Sequence, residues 1–92
     1  MDASESRLDG NAVGGVLAEI FATEMTASLG TCAGCGATEP VGALHAYVRA
    51  PGVVVRCPHC SSVMIRIVRD EKDRVWLDIR GVSCLEIRRA ED

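Results

Sequence analysis

Four cysteines stand in two pairs of identical internal spacing, Cys32-Ala33-Gly34-Cys35 and Cys57-Pro58-His59-Cys60. Two residues between cysteines let one tight turn aim both sulfurs at a common point, and two such turns complete a tetrahedron of thiolates. The spacing therefore predicts one zinc ion held by Cys32, Cys35, Cys57 and Cys60. A closed four-sulfur site keeps no open position for water, so the chemistry it offers is structural rather than hydrolytic. The 21 residues between Cys35 and Cys57 exceed the usual ribbon spacing slightly and leave room for an outgoing strand, a turn and a returning strand.

Iron is the competing metal, because four thiolates also hold iron for one-electron transfer. The Cys-x-x-Cys-Gly and Cys-Pro-x-Cys halves resemble rubredoxin knuckles, but Ser61 stands where the second rubredoxin knuckle has Gly, and that family's aromatic core is missing. A thiol switch built on Cys-Pro-His-Cys alone needs a helix after the motif, and none is predicted after Cys60. His45 and His59 are able to bind zinc but are superfluous beside four cysteines. Cys84 has no partner two residues away and reads as a small apolar filler. No Ser/His/acid arrangement, Gly-rich phosphate loop or His-x-x-x-His pair occurs, so no enzyme is predicted.

The second feature able to do chemistry is Trp76 among arginines. Val63 to Arg69 and Arg74 to Arg80 alternate as two strands around the charged turn Asp70 to Asp73. Pairing Arg69 with Asp73 across a three-residue loop puts Val63, Ile65, Ile67, Val75, Leu77 and Ile79 on one face, whereas an even loop would mix Ile67 with Trp76 and Arg74. That register sets Trp76 opposite Arg66 on the other face, near Met64, Arg74 and Arg80. An aromatic among arginines suits a protein hot spot or a single-stranded nucleic acid, while the plainer reading is Arg66 stacked on the indole. Arg66, Trp76 and Arg80 are the candidate partner-binding residues, with a protein partner favoured over nucleic acid.

Other elements must position these groups. Asp9 or Asn11 is suited to cap a helix in which Val13, Val16, Leu17, Ile20 and Phe21 make one apolar stripe. Gly14 and Gly15 cost that helix roughly 1 kcal/mol each against Ala, so it is expected to depend on docking against the sheet. Thr23 to Gly30 reads as a connection with Met25 and Leu29 turned inward. Val41 to Arg49 reads as a strand, Ala50-Pro51-Gly52 as a turn, and the β-branched run Val53 to Val55 as the return to the second knuckle. Gly81 then breaks the chain before a last strand over Val82 to Arg88.

At 92 residues there is room for one domain whose core needs a staple, and the metal is that staple. The single Phe, Tyr and Trp make that core aliphatic. The net charge of −3 hides a polarity: residues 1–40 hold one Arg against six acids, and residues 41–92 nine bases against seven acids. Arg49, Arg56, Arg66 and Arg69 lie in a span without acids, and their plain role is to neutralise a four-thiolate centre of about −2. The acidic start is not expected to serve as a signal peptide, and no segment reaches membrane-spanning length. The expected address is the cytoplasm, where thiols stay reduced and favour metal.

Leu8-Asp9-Gly10-Asn11-Ala12, Glu24-Met25-Thr26, both knuckles, Ala50-Pro51-Gly52 and Trp76-Leu77-Asp78-Ile79-Arg80-Gly81 together carry a resemblance. From Leu8 to about Ile87 the chain resembles a mainly actinobacterial family of short, uncharacterised proteins with two Cys-x-x-Cys pairs. The resemblance implies a metal-binding fold and no substrate. The expected fold is a small metal-stabilised α+β domain, a zinc ribbon with an antiparallel β-sheet and one N-terminal helix. Residues 1–8 are read as a flexible N-terminus, 9–89 as the zinc-ribbon domain and 90–92 as an acidic tail. The expected function is that of a structural zinc protein acting as a small cytoplasmic interaction module; the alternatives are a rubredoxin-like iron electron carrier and a weak single-strand binder.

Overall fold

The protein is described by a computed structural model over residues 7–49 and 52–88. Among the described residues, eight strands alternate with one short α-helix and two 3-10 turns. They are β1 (Leu8–Asp9), a 3-10 turn (Gly10–Val13), α1 (Gly14–Phe21), β2 (Leu29–Cys32), β3 (Thr38–Pro40), a 3-10 turn (Val41–Ala43), β4 (His45–Arg49), β5 (Gly52–Arg56), β6 (Val63–Arg69), β7 (Val75–Asp78) and β8 (Val82–Glu86). They form two antiparallel sheets, one of five strands in the order β1-β4-β5-β6-β7 and one of three in the order β3-β2-β8.

The larger sheet is built from the β-branched runs. The Val53 to Val55 run lies in β5, between β4 and β6, where stiff branched side chains pack well on both neighbours. Ala46, Val55 and Ile65 stand side by side across three strands and are buried, as is Ile67. The 3-10 turn and the helix close over this core with Val13 of the turn and Leu17 of the helix buried and Val16, Ile20 and Phe21 partly so, as the stripe requires. Burying a side chain such as Leu17 contributes about 2 kcal/mol, which offsets the glycine cost. Asp9 is the cap, accepting from the Asn11 amide at 3.1 Å, but it caps the 3-10 turn that precedes the helix rather than the helix itself.

The smaller sheet departs from the expectation of a single sheet. Leu29–Cys32, read as connection and knuckle, is a strand because Thr38–Pro40 folds back on it beyond the first Cys pair and β8 takes its other side. The last strand therefore leaves the β6–β7 hairpin and joins β2. Val41–Ala43 is a 3-10 turn rather than the start of a strand, since the Val41 and Gly42 amides donate to Ser28 and Thr26 carbonyls at 2.8 and 2.9 Å. Leu8, placed in the flexible N-terminus, pairs with Ala46. Residues 1–6, the acidic tail 90–92, and Ala50 and Pro51 of the predicted turn lie outside the described residues.

Met64 and Ile65 are both buried although adjacent in a strand. Ile65 faces the helix side, and Met64 meets the small sheet: a Cβ placed on Gly30 would lie 3.7 Å from Met64 Cε. The small sheet thus covers the knuckle end of the larger sheet's second face and leaves Arg66, Val68 and Trp76 exposed. Cys84 is corrected by the same arrangement. It is exposed rather than a core filler, being paired with Thr31 in β8 at the margin of the small sheet.

The odd hairpin loop is present, displaced by one residue. Asp70 and Arg74 close it, and Ile67 pairs with Leu77, Val68 with Trp76 and Arg69 with Val75. Parity is kept, so the apolar face is kept, but Trp76 lies opposite Val68 and not Arg66. The cause is Asp70, whose carboxylate accepts from the Lys72 and Arg74 amides at 3.0 and 2.8 Å and so starts the turn one residue later. Asp73 then takes the left-handed φ of 70° that a glycine would normally supply.

Candidate metal centre

Each sheet sends one strand into the cysteine cluster. Cys32 ends β2 of the small sheet, and Cys57 follows β5 of the large one. Beyond each, the chain makes the same turn. The Cys32 and Cys57 amides donate to the carbonyls five residues on, Ala37 and Ser62, at 2.8 and 2.9 Å. Their carbonyls accept from Gly36 and Ser61 amides at 2.9 Å each, and their sulfurs from Gly34 and His59 amides at 3.3 Å each. The turn needs a left-handed residue after the second cysteine, filled by Gly36 at φ 81° and by Ser61 at φ 67°. The Ser61 substitution, weighed above against a rubredoxin-type site, therefore does not change the shape of the knuckle.

All four sulfurs lie within 4.8 Å of one another. Cys32 and Cys60 Sγ are 3.7 Å apart, as are Cys35 and Cys57 Sγ. A tetrahedron with metal–sulfur bonds of about 2.3 Å has edges of about 3.8 Å, so the four sulfurs suit one tetrahedral ion. Cys32 and Cys57 are buried, whereas Cys35 and Cys60 are exposed. The Ser62 side chain and amide pull the Cys60 thiol down to about 6. At Cys35 the Ala37 amide pulls the same way, but desolvation and the three neighbouring thiols prevail and push it up to about 11.

The knuckles are braced from outside the motif. Arg56 Nη1 donates to the Ser61 carbonyl at 2.8 Å, and His59 Nε2 meets Glu39 of β3 at 2.7 Å. Ala33 N donates to Gly81 O at 2.9 Å, and Gly81 approaches β6 so closely that a Cβ there would lie 2.0 Å from Val63 O. Neither His45 nor His59 belongs to the cluster, nor does Cys84. Of the four arginines read as neutralising the centre, Arg56 braces it, while Arg69 pairs with Glu19 at 3.4 Å and Arg66 stands opposite Asp78. Ser62 and Glu39 were not singled out in the sequence, and Gly81 was read only as the break before the last strand. Only Gly81 carried a signal, as a glycine between two apolar runs.

Arg66, Trp76 and Arg80 do come together, lining one groove with Val68 and Asp78. The cation over the indole is Arg74, 5.3 Å from the ring centroid, not Arg66 as the register expected from the sequence had implied. Arg80 instead pairs with Asp78 at 3.0 Å.

Among the described residues no helix is long and apolar enough to cross a membrane. A family model described as a family of unknown function, DUF6510, matches residues 3–90. No curated protein and no solved structure matches the chain.

Proposed function

The chain belongs to DUF6510, a family of unknown function, and since membership brings no activity with it, we propose that this is a structural zinc protein of zinc-ribbon type acting as a small interaction module. The observation that carries the reading is the convergence of four thiols from two sheets within 4.8 Å. Zinc is the metal whose tetrahedral thiolate sites are closed and structural. A site without an open position works by holding the chain, so the protein's action lies in what its surface binds rather than in catalysis. A reducing cytoplasm suits five free cysteines. The groove lined by Arg66, Trp76 and Arg80 supports a protein partner, because a half-exposed indole flanked by guanidinium groups is a common source of binding energy in small interfaces.

Elemental analysis of protein purified without added metal tests the metal assignment. About one zinc per chain is expected, lost in Cys32→Ser and Cys57→Ser and retained in Cys84→Ser. Iron with visible thiolate absorption would replace this reading with the electron carrier.

A further inference from the structure

We propose that the open edge of β7 pairs with the same edge of a second copy of the chain, joining two five-stranded sheets across a twofold axis at Trp76. The inference rests on the reading of the protein as an interaction module and names its partner.

Among the described residues β7 is the last strand of its sheet. Asp70 N donates to Arg74 O at 3.0 Å, so Arg74 turns its backbone groups towards β6. Alternation along an antiparallel ladder then turns those of Trp76 and Asp78 the same way and directs the N–H and C=O groups of Val75 and Leu77 outward. Natural edges are blunted by lysine, proline or bulges. β7 has no lysine or proline, and its register with β6 runs without a shift. Val75, Trp76 and Ile79 are 41%, 51% and 37% exposed, with Val68 beside them at 40%. An edge of this kind is a template for another strand.

Its charges select which strand. In a twofold antiparallel pairing, opposed residues share a face, so the axis must pass through a residue. With the axis at Trp76, Val75 meets Leu77 of the second copy, and both use their outward backbone groups. Arg74 then meets Asp78 of the second copy, and the two indoles face each other in the close, non-hydrogen-bonded pair. Asp70 occupies Nε of Arg74, which leaves the rest of its fork to donate, and Arg80 occupies Oδ1 of Asp78, which leaves Oδ2 to accept. An axis at Leu77 opposes Arg74 to Arg80, a like-charge pair. An axis at Val75 runs the partner into the turn at Asp73, whose φ of 70° is not strand backbone. Complementarity of charge and of backbone therefore coincide at Trp76.

Sedimentation equilibrium on the full, zinc-loaded chain tests this, with zinc content and circular dichroism recorded for every sample. The wild type is expected to dimerise, with a blue shift of Trp76 emission as concentration rises. Arg74→Glu and Asp78→Lys alone should each lose the dimer, because each opposes like charges twice. Mixed in equal amounts they should recover it, because both pairs in the mixed dimer are then attractive. If a charge variant loses its zinc, Val75→Pro replaces it; this removes one outward N–H, spares the ladder to β6, and should give a monomer. A wild type that stays monomeric with full zinc, variants that dimerise as well as the wild type, or a mixture that stays monomeric would overturn the proposal while leaving the metal assignment intact. A monomer whose Trp76 emission is quenched by a single-stranded oligonucleotide overturns it in favour of nucleic acid.

Discussion

Two of the four thiols are unlike, because one neighbour, Ser62, lowers Cys60 whereas desolvation and the three other thiols outweigh the Ala37 amide and raise Cys35. The Ser62 hydroxyl lies 3.1 Å from Cys60 Sγ and, with the Ser62 amide, holds that thiol at about 6 against an ordinary 9.0. A folded value below the unfolded one means that, in the metal-free protein, this group contributes stability that is present above 9.0 and lost as pH falls through about 6. At neutral pH Cys60 is already a thiolate, while Cys35, pushed up to about 11, is not. Zinc loading at neutral pH is therefore expected to release fewer than four protons, and Ser62→Ala to raise the number released. Titration calorimetry in two buffers of different ionisation enthalpy counts them; equal counts for wild type and variant would show that Ser62 does not set the Cys60 proton. Acid should weaken zinc binding in both, because protons compete for the sulfurs.

At the scale of elements, two turns carry residues whose backbone demands are unusual. Asp73 holds φ at 70° in the β6–β7 turn, a conformation that costs a non-glycine residue about 1 kcal/mol. Among the described residues its carboxylate makes no hydrogen bond in that turn, where Asp70 makes the contacts. Asp73→Gly is thus expected to stabilise the domain by up to about 1 kcal/mol, less the glycine's entropy in the unfolded chain. Denaturant unfolding of the zinc-loaded protein checks the sign. Gly81 presents the opposite case, since the space a Cβ would need is filled by Val63 O at 2.0 Å. Gly81→Ala must push β6 away from the first knuckle and should cost about 1–3 kcal/mol, together with weaker zinc retention in a chelator competition. An unchanged unfolding midpoint would mean that the approach relaxes at little cost.

For the molecule as a whole, the four-cysteine cluster is the junction between two sheets, with one knuckle supplied by each. Among the described residues the five-stranded sheet and the helix hold the buried Leu17, Ala46, Val55, Met64, Ile65 and Ile67, whereas the small sheet contributes only Cys32 to the core. Removing the metal is therefore expected to loosen β2 and β8 first and to unfold the domain at a lower temperature. Hydrogen exchange with and without chelator checks this: amides of Leu29–Cys32 and Val82–Glu86 should lose protection before those of Gly52–Arg56. Uniform loss would point to a single cooperative unit. By itself the sequence determined which four cysteines cluster, because Cys-x-x-Cys spacing is a local property of a tight turn. It likewise determined the helix stripe and the apolar parity of the β6–β7 hairpin, because periods of 3.6 and 2 residues are local too. The second sheet was not legible. Leu29–Cys32 carries no alternation and becomes a strand only because Thr38–Pro40 and Val82–Glu86 flank it. Cys84 was misplaced for the same reason, since burial depends on which sheet a strand joins. The partner of Trp76 was decided by one carboxylate, Asp70, capturing two amides and moving the turn by a residue. Such choices rest on contacts between distant segments and on one-residue differences in turn geometry, which no periodicity along the chain encodes.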